Sequence, residues 1–506
     1  MINNFIIKEY KFKYLIFSII SGILLALSFQ KFNFYFLAWI AFIPFIYCIY
    51  KSNIKYSIIY GFITGIIFSL ISFNWMFLFL LTNTNSMKAS LIVSVLFWLY
   101  QSIYFVIWSI LFNVVKKNNE IIVSVFISSL WVFLEYIKNY FLGGFPINLL
   151  GYSQSSFTTI IQIVDVFGVY FISFIIILIN IFIFYWLKEQ NKKYLIISTL
   201  IILFLLIYGH MRINQFSEIN SENKIKIGVV QPNIEQYKKW DEKRKQEISD
   251  KLLLYSQKFK NSDIDILLYP ETVLPGKLLL EESMKLLAKG ISSFAEITLI
   301  GGKFYERSKV YNAIFIMDNN GHIIGKYKKK HLVLFGEYVP FKNFLVDLLK
   351  KINLSDNFNK EENIEIYKFE KYGLGINICS ENYYPYLSRE FVLKGATLLT
   401  THSNDAWCDG LSYPYQHFVL NIFRAVENRK YLIVASNTGI SGVISPTGKI
   451  IKQTKNQEQV CFEETVYTNN YITINDKIGD LFVWLCIIYV VCLLLICEIF
   501  GKRKNA

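Results

Sequence analysis

Long apolar runs divide the chain into two kinds of sequence. Seven lie before residue 210, at 14–30, 34–50, 57–81, 89–115, 120–137, 159–187 and 194–209, and one more at 479–499. A helix crossing a bilayer core takes roughly 20 apolar residues, so each run is predicted to span a membrane. Between the last two the pattern becomes that of a globular domain. "KIKIGVVQPN" from Lys224 reads as a strand ending in a polar loop, and "DIDILLYPE" (263–271) as a buried strand with a charged tip. "LIGGKFY" (299–305), "YGLGINICSE" (372–381), "GATLLTTHSND" (395–405) and "YLIVASNTGISGVISPTGKI" (431–450) add strands, and 313–329 is a hairpin turning at Asn319–Gly321. Residues 240–259 and 414–430 have helical periodicity. Strands alternating with helices predict an α/β layered domain.

The predicted boundaries are 1–213 for a seven-helix membrane domain, 222–472 for the globular domain and 478–501 for an eighth membrane helix. Hydrophobic residues make up 54% of the chain, too many for an ordinary soluble domain. The first run follows Lys8, Lys11 and Lys13 like a signal peptide, but no small-residue cleavage site follows Leu27, which favours an uncleaved anchor.

The net charge of +14 is mainly a topology signal. With a cytoplasmic N-terminus, the inner ends carry Lys8, Lys11, Lys13, Lys51, Lys55, Lys116, Lys117, Lys188, Lys192, Lys193, Lys502, Arg503 and Lys504. The short outer loops carry only Lys31, Lys88 and Lys138. Positive residues stay inside. Both termini are therefore expected inside the cell and the globular domain outside, which in a bacterium would mean the periplasm or the cell surface. Nucleic acid is not an expected partner. Asn74, Trp75, Glu135, Asn148, Gln154 and Asp165 fall at the outer ends of the runs. They either line a lateral portal for a lipid headgroup or cap helix ends.

Cys48, Cys486, Cys492 and Cys497 sit in apolar runs and read as packing residues. Cys379, Cys408 and Cys461 are in the globular domain, where disulfides are permitted, and their odd number leaves at least one free. No zinc-ligand spacing is present. Three strands end in a reactive residue: Glu271 after "LLYP", Lys329 after "IIGKYK" and Cys379 after "GLGINI". A nucleophilic cysteine needs a base and a cation or N–H groups for the oxyanion, and these residue types supply both. Taken singly, each also has a plain reading, as a solvated carboxylate, a wet lysine cluster and a buried packing thiol.

"YPETVLP", "YKKKHLVLFGEYVP" and "INICSENYYP" resemble, in order and spacing, the three signatures of the nitrilase superfamily. The resemblance implies an α-β-β-α sandwich and a Glu-Lys-Cys triad of Glu271, Lys329 and Cys379, the lysine fixed by "K-x-H-L" at Lys329–Leu332. "FGEYVP", "QPNI…KW", "SNDAW" and "GGFPINLLGYSQ", with the membrane layout, are similar to the bacterial apolipoprotein N-acyltransferase family over nearly the whole chain. That likeness implies Glu271 as general base, Lys329 as oxyanion-stabilising cation and Cys379 as nucleophile, supported by Glu337, Glu381 and Trp240. It further implies acyl transfer from a phospholipid, with phosphatidylethanolamine the expected donor, through a cysteine thioester to a diacylated apolipoprotein. The enzyme is expected to be a monomer without cofactor or metal. A membrane-tethered nitrilase-type amidase or hydrolase would use the same triad and is the alternative. Two positions depart from the family: Ser380 stands where Tyr is frequent, and Cys408–Asp409 follow Trp407 where the family commonly has Phe-Gly.

Overall fold

The longest apolar runs fold as helices whose ends are set by polar caps. In the computed structural model Asn53 accepts from the Tyr56 N–H, Ser86 from Ala89 and Asn119 from Ile121 and Ile122. These side chains satisfy N–H groups that have no partner inside the helix. Residues 2–84, 86–141, 144–217, 223–235, 239, 241–334, 336–338, 358–408 and 412–504 are described. The chain divides into two units, Met1–Met211 with Ile478–Ala506, and Arg212–Lys477.

In the first unit five described helices are long and apolar enough to cross a membrane: Ile54–Ser72, Met87–Val115, Glu120–Ile137, Val169–Glu189 and Lys192–Ser217. Shorter apolar helices cover Phe12–Leu27, Tyr35–Lys51, Thr158–Phe167 and Leu481–Ile496. The first unit is a multi-pass helical membrane domain. Several runs that read as single spans are broken. The one at 57–81 is two helices, Ile54–Ser72 and Asn74–Thr84, parted at Phe73, whose carbonyl accepts from Trp98 Nε1 of a neighbouring helix. The run at 34–50 is a short 3-10 turn, Tyr35–Trp39, followed by the helix Ile43–Lys51, with Pro44 in its first turn. Gly168, at φ 70°, starts the helix Val169–Glu189 inside the run at 159–187.

Small residues let these helices touch. A Cβ at Gly65 would lie 2.7 Å from Ser102 Cα, and one at Gly61 2.9 Å from the Phe105 carbonyl oxygen. Three of the polar residues at the outer ends bond both side chains and backbone of their own or neighbouring segments. Glu135 Oε1 accepts from Trp131 Nε1 (2.9 Å) and the Leu150 N–H (2.6 Å). Gln154 joins Trp39 Nε1 to the Tyr35 carbonyl, and Asp165 accepts from Tyr208 Oη at 2.7 Å.

Among the described residues the second unit holds two six-stranded sheets. The first has the order β12-β1-β2-β3-β4-β5, the second β11-β10-β9-β8-β7-β6. The strands are β1 Lys224–Gln231, β2 Ile266–Leu268, β3 Ile297–Glu306, β4 Lys309–Asp318, β5 Ile323–Lys328, β6 Tyr367–Lys368, β7 Gly373–Ile378, β8 Leu398–Ser403, β9 Leu432–Ser436, β10 Gly442–Ile444, β11 Ile450–Gln453 and β12 Val460–Tyr467. Each sheet has a parallel centre, β1-β2-β3 and β7-β8-β9, with antiparallel flanks. The helices Lys245–Gln257 and Glu282–Ser292 cover the first sheet through Ile248, Leu252, Met284 and Ile291, packed with Leu267, Ile300 and Phe315. Each such fully buried side chain stabilises by roughly 1.5–3 kcal/mol. The helices Pro385–Leu393 and Tyr413–Asn428 cover the second: Gly375 lies against Phe391 and Gly442 against Phe418. This is the α-β-β-α sandwich.

The differences from the pattern are local. The helix read at 240–259 is Lys245–Gln257, because Asp241 caps a 3-10 turn before it. β2 is only three residues long, because Pro270 soon follows it and has no N–H for the ladder.

Candidate active site

Glu271, Lys329 and Cys379 all leave the ends of strands. Glu271 follows β2 in the middle of the first sheet, Lys329 directly follows β5, and Cys379 directly follows β7 of the second sheet. A tie between the sheets fixes the first of them. His402 on β8 bonds through Nδ1 to the Tyr269 carbonyl at 2.7 Å. Burial lowers the pKa of that imidazole to about 4, so it is neutral and its Nδ1 carries the proton.

Gly301 on β3 lets the Glu271 segment lie against the sheet. A Cβ there would be 2.2 Å from the Pro270 carbonyl oxygen and 2.4 Å from the Thr272 nitrogen. Both are backbone atoms and cannot swing aside. Gly301→Ala is therefore expected to displace Glu271 and slow acylation of Cys379 about 100-fold. Single-turnover kinetics on the folded variant measures this, and a parental rate would show that the strand gap opens freely.

The carboxylates of Glu271 and Glu337 share one lysine and one amide. Glu271 Oε1 accepts from Asn312 Nδ2 (2.6 Å) and Lys329 Nζ (3.3 Å), and its Oε2 from the Asn404 N–H (3.0 Å). Glu337 Oε1 accepts from the same Asn312 nitrogen (2.9 Å) and the same Lys329 ammonium (3.0 Å). Lys329 is 1% exposed. Burial works against its charge, but Glu271 and Glu337 outweigh it and its pKa is raised. The result is a permanently charged ammonium between two carboxylates.

Cys379 has φ 51°, a left-handed backbone that non-glycine residues seldom adopt. Burial pushes its thiol well above the ordinary range, Glu271 adds to this, and Lys329 acts against it. The resting side chain is therefore a protonated thiol whose proton must be removed during attack.

Glu381 does not join this cluster; it ties the lysine and cysteine turns together. Its Oε1 accepts from the N–H groups of Lys330 (2.7 Å) and His331 (3.2 Å), its Oε2 from the Ile378 N–H (2.7 Å), and both from Tyr327 Oη. Trp240 lies outside the described residues. Its neighbour Lys239 is buried and donates to Thr272 Oγ1 at 2.7 Å, beside Glu271. Burial lowers its pKa to about 7 although Glu271 opposes this. Ser380 and Cys408 are buried, and no disulfide joins Cys408 to Cys461.

Three site residues were not singled out from the sequence: Asn312, Asp405 and His417. His417 Nδ1 meets Asp405 Oδ1 at 2.9 Å, and its Nε2 meets the Cys379 carbonyl at 3.2 Å. "SNDAW" and "PYQHF" contain two of them, but nothing in either string points to the cysteine turn.

Residues 21–182 match the family described as apolipoprotein N-acyltransferase N-terminal domain, and residues 226–466 match carbon-nitrogen hydrolase. An apolipoprotein N-acyltransferase of Geobacter metallireducens is 31% identical over 491 residues, which span 93% of this chain and 92% of that protein. The chain belongs to the apolipoprotein N-acyltransferase family. Relatives bearing the same name include one from Rickettsia typhi, 34% identical over 67% of this chain and 68% of its own. Another, apolipoprotein N-acyltransferase 1 of Treponema denticola, is 25% identical over 94% of this chain and 95% of its own. The protein is thus a membrane acyltransferase of a lipoprotein-modifying family, with its hydrolase-like sandwich in the second unit.

Proposed function

We propose that this acyltransferase moves an acyl chain from a membrane phospholipid, with phosphatidylethanolamine the expected donor, to the N-terminal α-amine of a diacylglyceryl-cysteine apolipoprotein. The observation that carries the reading is the buried Glu271–Lys329–Glu337 cluster beside a thiol held at φ 51°. In the first half-reaction Cys379 Sγ attacks the ester carbonyl while Glu271 takes the thiol proton. Lys329 steadies the oxyanion. The C–O bond breaks, Glu271 returns the proton to the leaving alkoxide, and lysophospholipid departs from a thioester. In the second half-reaction the α-amine attacks the thioester and Glu271 accepts its proton. The C–S bond then breaks, the proton returns to sulfur, and the amide product leaves. Both substrates are lipid-anchored, which accounts for a hydrolase-like fold joined to membrane helices. A bilayer-side site also limits loss of the thioester to water.

The lysine asymmetry supports a topology with both termini in the cytoplasm and the catalytic domain on the periplasmic face of the inner membrane. The enzyme is proposed to act as a monomer.

The test is incubation of the purified protein in detergent with a phospholipid carrying a tagged acyl chain, followed by peptide mass spectrometry. The expected result is a hydroxylamine-sensitive acyl group on Cys379. It should be absent in Cys379→Ser and should pass to the amine of a diacylated lipopeptide. Release of free fatty acid without transfer would make the tethered hydrolase the correct reading. An unmodified Cys379 with no lysophospholipid formed would exclude phospholipid as the donor.

A further inference from the structure

The two hydrogen bonds of the His417 ring fix its protonation. Nδ1 faces a carboxylate oxygen of Asp405 and Nε2 faces the carbonyl oxygen of Cys379. Both partners are acceptors, so both ring nitrogens must carry a proton. The ring is buried and its pKa is raised: burial opposes the charge, and Asp405 more than restores it. Other titratable groups face the ring or interact with it. Tyr383 presents its ring edge from the cysteine turn and Tyr413 lies one helical turn back on the same helix, the two joined through their hydroxyls at 2.6 Å. Glu271 acts on the ring through space.

The cation has two consequences for the nucleophile. It donates to the carbonyl of the residue held in the left-handed conformation. The same helix braces this turn twice more, through Asn382 Nδ2 to the His417 carbonyl and Arg424 Nη1 to the Asn382 carbonyl. It also sits close to the sulfur: Cys379 Sγ, an Asp405 carboxylate oxygen and a His417 ring nitrogen lie within 4.8 Å of one another. Glu271, Glu337 and Asp405 all disfavour a thiolate there, and Lys329 favours one. With a neutral His417, three carboxylates would face the thiolate against a single ammonium.

We propose that Asp405 and His417 form a positioning pair, in which an imidazolium held by Asp405 both pins the left-handed turn of Cys379 and offsets the carboxylates around its sulfur. This rests on Cys379 being the nucleophile, as proposed above. The pair touches neither acyl group nor amine in this role; it acts through the cysteine.

The experiment is the pH dependence of Cys379 alkylation by iodoacetamide in the full-length protein in detergent. It is read by mass spectrometry of the Cys379 peptide, with thermal unfolding followed on the same samples. His417→Gln keeps a side-chain donor but removes the charge, leaving Asp405 facing the sulfur. The ionisation of Cys379 should move up by at least about one pH unit, so that alkylation at pH ~7.5 falls about tenfold or more. Adding Asp405→Asn removes the orphaned carboxylate and should recover at least half of that shift. A His417→Gln profile that superimposes on the parent's overturns the proposal. So does a double variant as slow as the single one, since that outcome assigns the histidine a packing role.

If His417→Gln does not fold, Asp405→Asn alone decides. Without the carboxylate the ring should titrate nearer the ordinary histidine range, about 6.5, and the alkylation profile should gain a second limb there. A single unchanged limb overturns the proposal. Alkylation needs neither lipid nor acceptor, so these outcomes stand apart from those of the acyl-transfer test.

Discussion

Lys329→Met is expected to lower the rate of Cys379 acylation by at least about 10³-fold. Methionine nearly matches the volume of the lysine stem, so the loss isolates the charge. Two effects combine. The oxyanion loses its cation, and two buried carboxylates lose the ammonium between them. Glu271 and Glu337 then share only Asn312 Nδ2, at 2.6 and 2.9 Å. The two buried carboxylates then repel each other with no cation between them, which displaces Glu271 from its place as a base. Removing one partner from a buried ion pair typically costs about 3–5 kcal/mol, so unfolding should also come at lower temperature. Lys329→Arg is expected to fail as well, because the planar guanidinium cannot take the place of a point charge between two carboxylates. Single-turnover release of lysophospholipid measures the effect. A Lys329→Met protein within tenfold of the parent would remove Lys329 from the proposed chemistry.

Glu381→Gln is expected to cost about 100-fold in acylation and several degrees in thermal stability. Both oxygens of Glu381 are acceptors, for the Lys330 and His331 N–H groups on one side and for Ile378 on the other. Glutamine has one oxygen. Its amide nitrogen would face an N–H group, and each buried donor left without an acceptor costs about 1–3 kcal/mol. The turns that present Lys329 and Cys379 then lose their tie. The variant also has a pH signature. Burial raises the pKa of Glu381 from 4.5 to about 7, against the pull of its N–H partners and Lys329. Between these values the folded protein holds a proton that the unfolded chain has released. The resulting stabilisation is full below pH 4.5 and is lost as pH rises through 7. Glutamine does not titrate, so the variant should lose less stability than the parent between pH 5 and 8. Thermal unfolding of the two proteins across that range decides it, and parallel curves would show that Glu381 does not titrate there.

The strand ends were legible because each reactive residue closes a run whose burial pattern is local. Glu271, Lys329 and Cys379 could be read that way. Asn312 could not: an asparagine inside "VYNAIFIMD" looks like a blemish in a strand, and only the pairing of Ala313 with Lys328 sets it beside Lys329. Asp405 and His417 were hidden for a similar reason. One follows β8 and the other lies in the helix Tyr413–Asn428, and tertiary packing alone makes them neighbours of Cys379. In the membrane unit, hydropathy showed where apolar chain lies but not where it stops being helical. The break at Phe73 depends on a contact from Trp98, which no window along the chain contains.

β12 lies beside β1, with Tyr467 opposite Lys224 and Val460 opposite Gln231. The first strand made is therefore completed by the last. On the ribosome β1 emerges early and must wait for nearly the whole unit before its outer edge is covered. Such long-range closure is slow, and an uncovered strand edge invites wrong pairing. Maturation of this enzyme should thus be timed by the arrival of β12 rather than by synthesis of the strands that carry the reactive residues. Nascent chains stopped before Val460 should hold Glu271, Lys329 and Cys379 in sequence yet remain open to protease.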